Sequence, residues 1–178
     1  MLSKLGRTGM ILMLSGLLGG CGIPAMPADM IRPPVSASRL QQDNTSRELI
    51  QLLPKQAQVI VPMQSNLGQT ISYGDMDGDG VDEAVVVYEE NLPSGRALKA
   101  ALFRQQNDRW QILSEIKGFG YGVEYAGFPD TNRDGRSELA LSWSLGEAGN
   151  GLDIYELDDN GLRLVKKKQE FRGKVELD

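Results

Sequence analysis

The sequence has no histidine and a single cysteine in 178 residues. Without histidine the chain lacks the side chain that most often acts as a general base, and one cysteine cannot form a disulfide within the chain. Basic residues are also outnumbered, since 19 lysines and arginines stand against 24 aspartates and glutamates. These shortages argue against a histidine-dependent enzyme, a disulfide-stabilised domain and a nucleic-acid partner.

Residues 1–20 have the pattern of an export signal. Lys4 and Arg7 form a short basic region, an apolar run follows over residues 10–18, and small residues precede Cys21. The apolar run is shorter than the roughly 20 residues that span a bilayer, so it predicts a cleaved signal peptide rather than a membrane helix. Cleavage removes two basic side chains and makes the exported part more acidic still.

The tetrad Leu-Gly-Gly-Cys at residues 18–21 resembles the lipobox of bacterial lipoproteins. In that family the cysteine thiol receives a diacylglyceryl group, and the chain is cleaved just before it. The resemblance implies that Cys21 carries fatty acyl chains such as palmitate, which hold the protein on the extracytoplasmic face of the cell membrane. This would be the outer membrane in a Gram-negative cell. Two or more buried acyl chains anchor a soluble domain durably.

Residues 21–43 are predicted to be a lipid-anchored tether, because prolines lie there among small and polar residues without a sustained apolar period. A short helix and a leading strand are predicted within residues 44–66. Thr45 and Glu48 have capping-box spacing, an apolar face follows, and Pro54 ends the helix. We expect this helix to cover a sheet edge.

The rest of the chain has a β pattern that occurs twice, in residues 67–118 and 119–172. Each segment predicts a four-stranded antiparallel meander with an acidic loop between its first two strands. Residues 173–178 have the pattern of a strand that would begin a third repeat. The predicted fold class is therefore all-β, with two propeller-blade-like repeats forming a partial β-propeller behind a short N-terminal helix.

The hairpin turns are predicted from short polar dipeptides. A turn is expected at Asn107-Asp108 in the first repeat. Asn160-Gly161 in the second repeat predicts a turn of type I′, in which both central residues have positive φ.

The acidic loops span residues 75–83 and 130–138, and we number each from position one to position nine. Oxygen-bearing side chains stand at positions one, three, five and nine of both loops, and glycine stands at position six. Alternate side chains let several oxygens converge on one cation, the carbonyl of position seven adds a ligand, and glycine permits a sharp turn. An EF-hand is excluded, because its glutamate at position twelve is replaced by Val86 and Leu141.

The loops resemble those of the FG-GAP and VCBS repeats of bacterial proteins and integrins, which bind calcium between two strands of a propeller blade. The resemblance covers roughly residues 67–172 and implies calcium as the cofactor, in keeping with a donor set made only of hard oxygens. Glutamate at position nine departs from the usual aspartate, and it would bind the ion through both oxygens or through a water. The implied ligands are Asp75, Asp77, Asp79, Val81 and Glu83 in the first loop, and Asp130, Asn132, Asp134, Arg136 and Glu138 in the second.

The two loops differ in charge. The first has four carboxylates at ligand positions, whereas the second has three, with Arg133 and Arg136 beside them. Counting the loop residues alone predicts tighter calcium binding by the first loop.

The function predicted from these features is that of a membrane-anchored, calcium-stabilised module. Its role at the cell surface would be structural or binding, with an unidentified protein or glycan as partner, and no catalytic residues are assigned. The alternative is a hydrolase of cell-envelope glycans, or an accessory subunit of one. Such an enzyme would need free carboxylates in a cleft, and Glu89 and Glu90 are the candidates outside the loops.

Cys21→Ala is expected to abolish incorporation of labelled palmitate and to leave the protein at the size of its precursor, because the acceptor thiol is lost. Metabolic labelling followed by electrophoresis measures both effects. Gly22→Ala, the neighbouring control, should keep the label and the shorter length. Labelling of the Cys21→Ala protein would contradict the lipid anchor.

Overall fold

The computed structural model describes residues 37–65 and 68–171, with side chains described within residues 44–168. Residues 1–20 and 173–178, for which a leader and the start of a third repeat are predicted, lie outside these ranges, as does the lipidation site Cys21. Within the described ranges no helix has the length and apolar character needed to cross a membrane.

The described chain folds into one α-helix and two antiparallel β-sheets, which confirms the all-β class. Within the described residues, every predicted strand region contains an observed strand. The elements are α1 (Ala37–Leu52), β1 (Gln58–Val59), β2 (Ile71–Gly74), β3 (Glu83–Leu92), β4 (Gly95–Gln106), β5 (Arg109–Lys117), β6 (Gly122–Gly127), β7 (Leu139–Ser144), β8 (Asn150–Asp158) and β9 (Gly161–Phe171), with a 3-10 turn at Gly146–Ala148.

Both predicted four-stranded meanders are confirmed. The first sheet runs β2-β3-β4-β5 and the second runs β6-β7-β8-β9, with antiparallel pairing throughout. The short strand β1 shares one edge of β3 with β2, because Val59 pairs with Tyr88 while Ile71 pairs with Val86. The sheets do not close into a propeller.

The helix α1 is longer than predicted and covers a different part of the sheet. It begins at Ala37 rather than near Thr45, so the prediction of a tether is wrong for residues 37–43. These residues include neither glycine nor proline, and nothing interrupts a helix before Pro54. Leu49 and Leu53 are buried against the outer face of the first sheet, so the helix covers a face and not an edge.

The main core lies between the two sheets. Val85 and Val87 of β3 face the second sheet, whereas Val86 and Tyr88 face the helix. This explains the unbroken apolar run that begins at Ala84, because β3 is buried on both faces. The second sheet contributes Leu139, Leu141 and Trp143 to the same core.

Trp143 occupies the middle of this core. Its side chain is fully buried, its indole Nε1 donates a hydrogen bond of 3.3 Å to Asp153, and its ring lies 5.9 Å from that of Phe119 between centroids. A β-carbon at Gly118 would overlap the Trp143 ring, so the linker between the sheets approaches the indole closely. The tryptophan therefore packs against both the partner sheet and the linker.

The first strands of the two sheets lie side by side and bring the acidic loops to the same end. Ser72 Oγ of β2 donates a hydrogen bond of 2.7 Å to the carbonyl of Ala126 in β6. At the strand ends, Phe128 fills the space that a side chain at Gly74 would occupy. Each loop follows directly from this contact, so the packing of β2 on β6 sets the separation of the loops.

The hairpin turn predicted at Asn107-Asp108 is confirmed, whereas the turn of the second repeat lies one residue earlier than predicted. Type I′ geometry is wrong for Asn160-Gly161, because only Gly161 has a positive φ there, and the turn lies at Asp159-Asn160. The side chain of Asp158 accepts the Asn160 amide at 2.8 Å and favours this earlier turn. Positive φ at both central residues occurs instead at Asn107 and Asp108, with values of 52° and 59°.

Trp143→Ala is expected to lower the free energy of unfolding by about 3–5 kcal/mol, because it empties a volume lined by both sheets. Urea denaturation followed by circular dichroism measures the change. Leu164→Ala, at a position that is 45% exposed, serves as the control and should change stability by less than about 0.5 kcal/mol. Equal effects of the two substitutions would contradict the assignment of the core.

Candidate metal sites

The two acidic loops have the same backbone conformation. At position six, Gly80 and Gly135 have φ of 84° and 89°, as the sequence predicts. At position four, Gly78 and Arg133 have φ of 79° and 62°, which the sequence did not reveal because arginine seldom adopts this conformation. The agreement at both positions shows that the loops repeat in structure as well as in donor spacing.

The side chain at position one organises each loop from within. The carboxylate of Asp75 accepts the amides of Gly78 and Gly80 at 2.7 and 2.9 Å. The carboxylate of Asp130 accepts those of Asp134 and Gly135 at 3.2 and 3.0 Å. In each loop, both carboxylate oxygens of the aspartate at position one are therefore directed into the loop.

The side chains at positions three and five each accept the amide two residues further on, a hydrogen bond typical of Asp and Asn in turns. Position five holds position seven in this way in both loops, since the amides of Val81 and Arg136 are the donors. The four bonds join Asp79 N to Asp77, Val81 N to Asp79, Asp134 N to Asn132 and Arg136 N to Asp134, at 3.2, 2.8, 2.9 and 2.9 Å.

The loops bring three carboxylates together in each repeat. The grouped oxygens lie within 4.8 Å of one another, and they belong to Asp75, Asp77 and Asp79 in the first loop and to Asp130, Asp134 and Glu138 in the second. Oxygens at such separations fit a hard divalent cation, and neither loop contains a histidine or cysteine that would favour zinc. The donor chemistry of both loops therefore fits calcium.

Position nine is buried in both loops but is used differently. Glu83 and Glu138 are each only 2% exposed. Glu83 lies outside the first carboxylate group, because its oxygens accept the Met76 amide at 2.9 Å and Arg104 Nε at 3.0 Å. Glu138 remains in the second group while one of its oxygens accepts the amide and hydroxyl of Thr131, at 2.7 and 2.6 Å.

Arg104 of β4 is a residue of the first site that the sequence did not indicate. Its guanidinium forms ion pairs with Asp77 and with the buried Glu83. Burial alone would lower the pKa of Arg104, but the hydrogen bond to Glu83 and the nearby carboxylates raise it above its ordinary value. Burial raises the pKa of Glu83, and the bonds from Met76 and Arg104 oppose this increase.

The position of Arg104 follows from strand pairing. Ala84 pairs with Phe103, so the next residue of β4 lies beside Glu83. The available signal was a basic residue opposite Glu83 on the neighbouring strand. The register of β3 with β4, which identifies that residue, is not evident from the sequence alone.

The second loop also reaches over to the first. The amide of Ser137 donates a hydrogen bond of 2.8 Å to the carbonyl of Asp75. A β-carbon at Gly78 would lie 3.1 Å from Arg136 Nε, so the Arg136 side chain lies against the first loop rather than over its own. The two candidate sites therefore form one continuous structure at the end of the module.

Comparison of this chain with protein-family models, with curated proteins and with solved structures found no match.

Arg133→Gly is expected to stabilise the protein by about 1 kcal/mol, because glycine adopts the positive φ of position four without the strain that a β-carbon brings. The melting temperature in excess calcium measures the gain. Gly135→Ala is the converse substitution and is expected to lower stability. There is open space around this residue, but its φ is 89°, so a β-carbon brings backbone strain without a steric clash. A loss of stability in Arg133→Gly would show that the arginine side chain matters more than backbone strain.

Proposed function

We propose that this protein is a calcium-stabilised β-repeat module, held by a lipid on Cys21 at the extracytoplasmic face of a membrane, with a structural or binding role there. The observation that carries the proposal is the buried environment of the Glu138 carboxylate. Its carboxylate is 2% exposed and grouped with two aspartates, and no basic side chain among the described residues pairs with it.

A buried negative charge of this kind favours a bound cation. Removing a carboxylate from water costs several kcal/mol unless a counter-ion compensates, and the neighbouring Asp130 and Asp134 add repulsion. Calcium accepts six to eight oxygens in a flexible arrangement, whereas magnesium requires a nearly octahedral one and keeps its waters. A flexible loop of carboxylate, amide and carbonyl oxygens therefore suits calcium best.

The same residues define how each loop would hold the ion. The ligands proposed from the loop pattern are Asp75, Asp77, Asp79 and the carbonyl of Val81 in the first loop, and Asp130, Asn132, Asp134, Glu138 and the carbonyl of Arg136 in the second. In the first loop Glu83 supports the site through Arg104 and the Met76 amide. An ion in either loop would neutralise the carboxylates and join the strands on both sides of it.

The position of the loops supports a structural use of the ion. The first loop connects β2 to β3 and the second connects β6 to β7. Because Ser137 of the second loop bonds to Asp75 of the first, a cation in one loop would also steady the contact with the other. The partner of the module would be a protein or glycan at the cell surface.

A glycan hydrolase remains the alternative from another functional class. Its candidate carboxylates are engaged, since Glu89 pairs with Arg96 and Glu90 pairs with Lys99 at 2.6 Å. The open cavity of about 710 Å³ nearby is lined by Glu115, which accepts a hydrogen bond from Tyr88. These pairings favour a structural use of the acids over catalysis, which needs a carboxylate free to transfer a proton.

Removal of calcium by EGTA is expected to lower the melting temperature. A site with a dissociation constant of about 10⁻⁴ M contributes about 1.4 kcal/mol at about 1 mM calcium, which corresponds to roughly 3–6 °C per occupied site. Differential scanning calorimetry of the purified protein measures the shift. An unchanged melting temperature in EGTA would sink the proposal.

Matched variants separate the calcium module from the enzyme. Asp134→Asn should reduce the stabilisation by calcium, whereas Asp159→Asn, in a hairpin outside the loops, should leave it intact. Hydrolysis of purified envelope glycan that is abolished by Glu89→Gln, with no change in melting temperature, would favour the alternative function.

A further inference from the structure

We infer that Arg104 acts as a built-in counter-ion of the first loop, so that the second loop is the tighter calcium site and the one whose metal stabilises the fold. This inference rests on the proposed function. It reverses the order of affinities expected from the loop residues alone, because Arg104 lies outside the loop in sequence.

The guanidinium of Arg104 lies among the carboxylates of the first loop. Arg104 contacts Asp77, an implied ligand at position three, and Glu83, the buried carboxylate at position nine. Its charge also acts on Asp79, the implied ligand at position five. The arginine thus compensates the buried charge and neutralises part of the donor set before any metal arrives.

The equivalent position of the second repeat has the opposite charge. Arg104 follows Phe103, the partner of Ala84, and Glu156 follows Tyr155, the partner of Leu139. Glu156 is paired with Arg163 at 2.5 Å and supplies no positive charge to the loop. Among the described residues Glu138 therefore has no counterpart to Arg104.

Arg136 belongs to the second loop in sequence but lies beside the first loop in the structure. Its side chain lies against Gly78 of the first loop, as the spacing of 3.1 Å from a β-carbon at that glycine indicates. Arg136 thus lies beside the first loop, where among the described residues Arg104 alone forms ion pairs with the carboxylates. If the charge of Arg136 is assigned to the second loop, the positive charge beside the second loop is overestimated and that beside the first loop is underestimated.

These positions decide the competition between calcium and arginine. A calcium ion in the first loop shares its carboxylates with Arg104 and is repelled by the guanidinium, and both effects weaken binding. A calcium ion in the second loop meets three grouped carboxylates and supplies the positive charge that hydrogen bonds from Thr131 do not give to the buried Glu138. The first loop therefore depends less on a bound metal than the second.

Calorimetric titration of the purified, metal-free protein with calcium chloride tests this order. Asp79→Asn and Asp134→Asn alter position five of the first and second loop, so each variant reports mainly on the other loop. We expect the Asp79→Asn protein to bind calcium at least tenfold more tightly than the Asp134→Asn protein. Equal affinities, or the reverse order, would overturn the inference while leaving the proposed function standing.

Arg104→Gln tests the residue itself. Added to Asp134→Asn, it should tighten calcium binding by the first loop about tenfold, because a unit positive charge close to a divalent ion is removed. Arg163→Gln in the same background is the matched control, since this arginine pairs with Glu156 at the equivalent strand position, and it should change the affinity less than twofold. No tightening by Arg104→Gln would overturn the inference.

Thermal melting supplies a readout independent of affinity. Arg104→Gln should lower the melting temperature in EGTA, because Glu83 loses its counter-ion, and calcium should restore most of the loss. Glu156→Arg should act in the opposite sense and reduce the calcium dependence of the melting temperature. If no variant binds calcium, the proposed function fails together with this inference, whereas binding that is indifferent to Arg104 and Glu156 refutes only the inference.

Discussion

The structure depends on how it compensates a buried negative charge at the ninth position of each acidic loop. Glu83 and Glu138 are both 2% exposed and stand where the chain enters the second strand of each sheet. A carboxylate withdrawn from water costs several kcal/mol unless a cation lies beside it. In the first loop Arg104 is that cation, and on the proposed function a calcium ion takes this place in the second loop.

Hydrogen bonds and packing contacts connect the two loops to each other and to the core between the sheets. The Met76 amide bonds to Glu83, and the side chain of Met76 is buried in the core between the sheets. The second loop donates its Ser137 amide to the first loop, where Phe128 packs on Gly74. The two loops are therefore joined to each other and, through Met76, to the core that contains Trp143.

The strands and the loops could be predicted from the sequence because both are encoded locally. Apolar runs between turn residues marked each strand, and alternate oxygen donors marked the loops. The start of α1 was missed because no glycine or proline marks it. The positive φ of Arg133 was not predicted, because arginine seldom adopts it and hydrogen bonds within the loop impose it here.

Arg104 was missed for a different reason, which bears on the whole module. Its contact with Glu83 spans a separation of 21 residues and depends on the register of β3 with β4. Two repeats with the same loop can therefore differ in the charge that the neighbouring strand brings to it. In the first repeat the cation is part of the chain and is present under all conditions. In the second repeat Glu156 stands at the equivalent position, so on the proposed function the cation comes from the surroundings and the environment of the protein completes its fold.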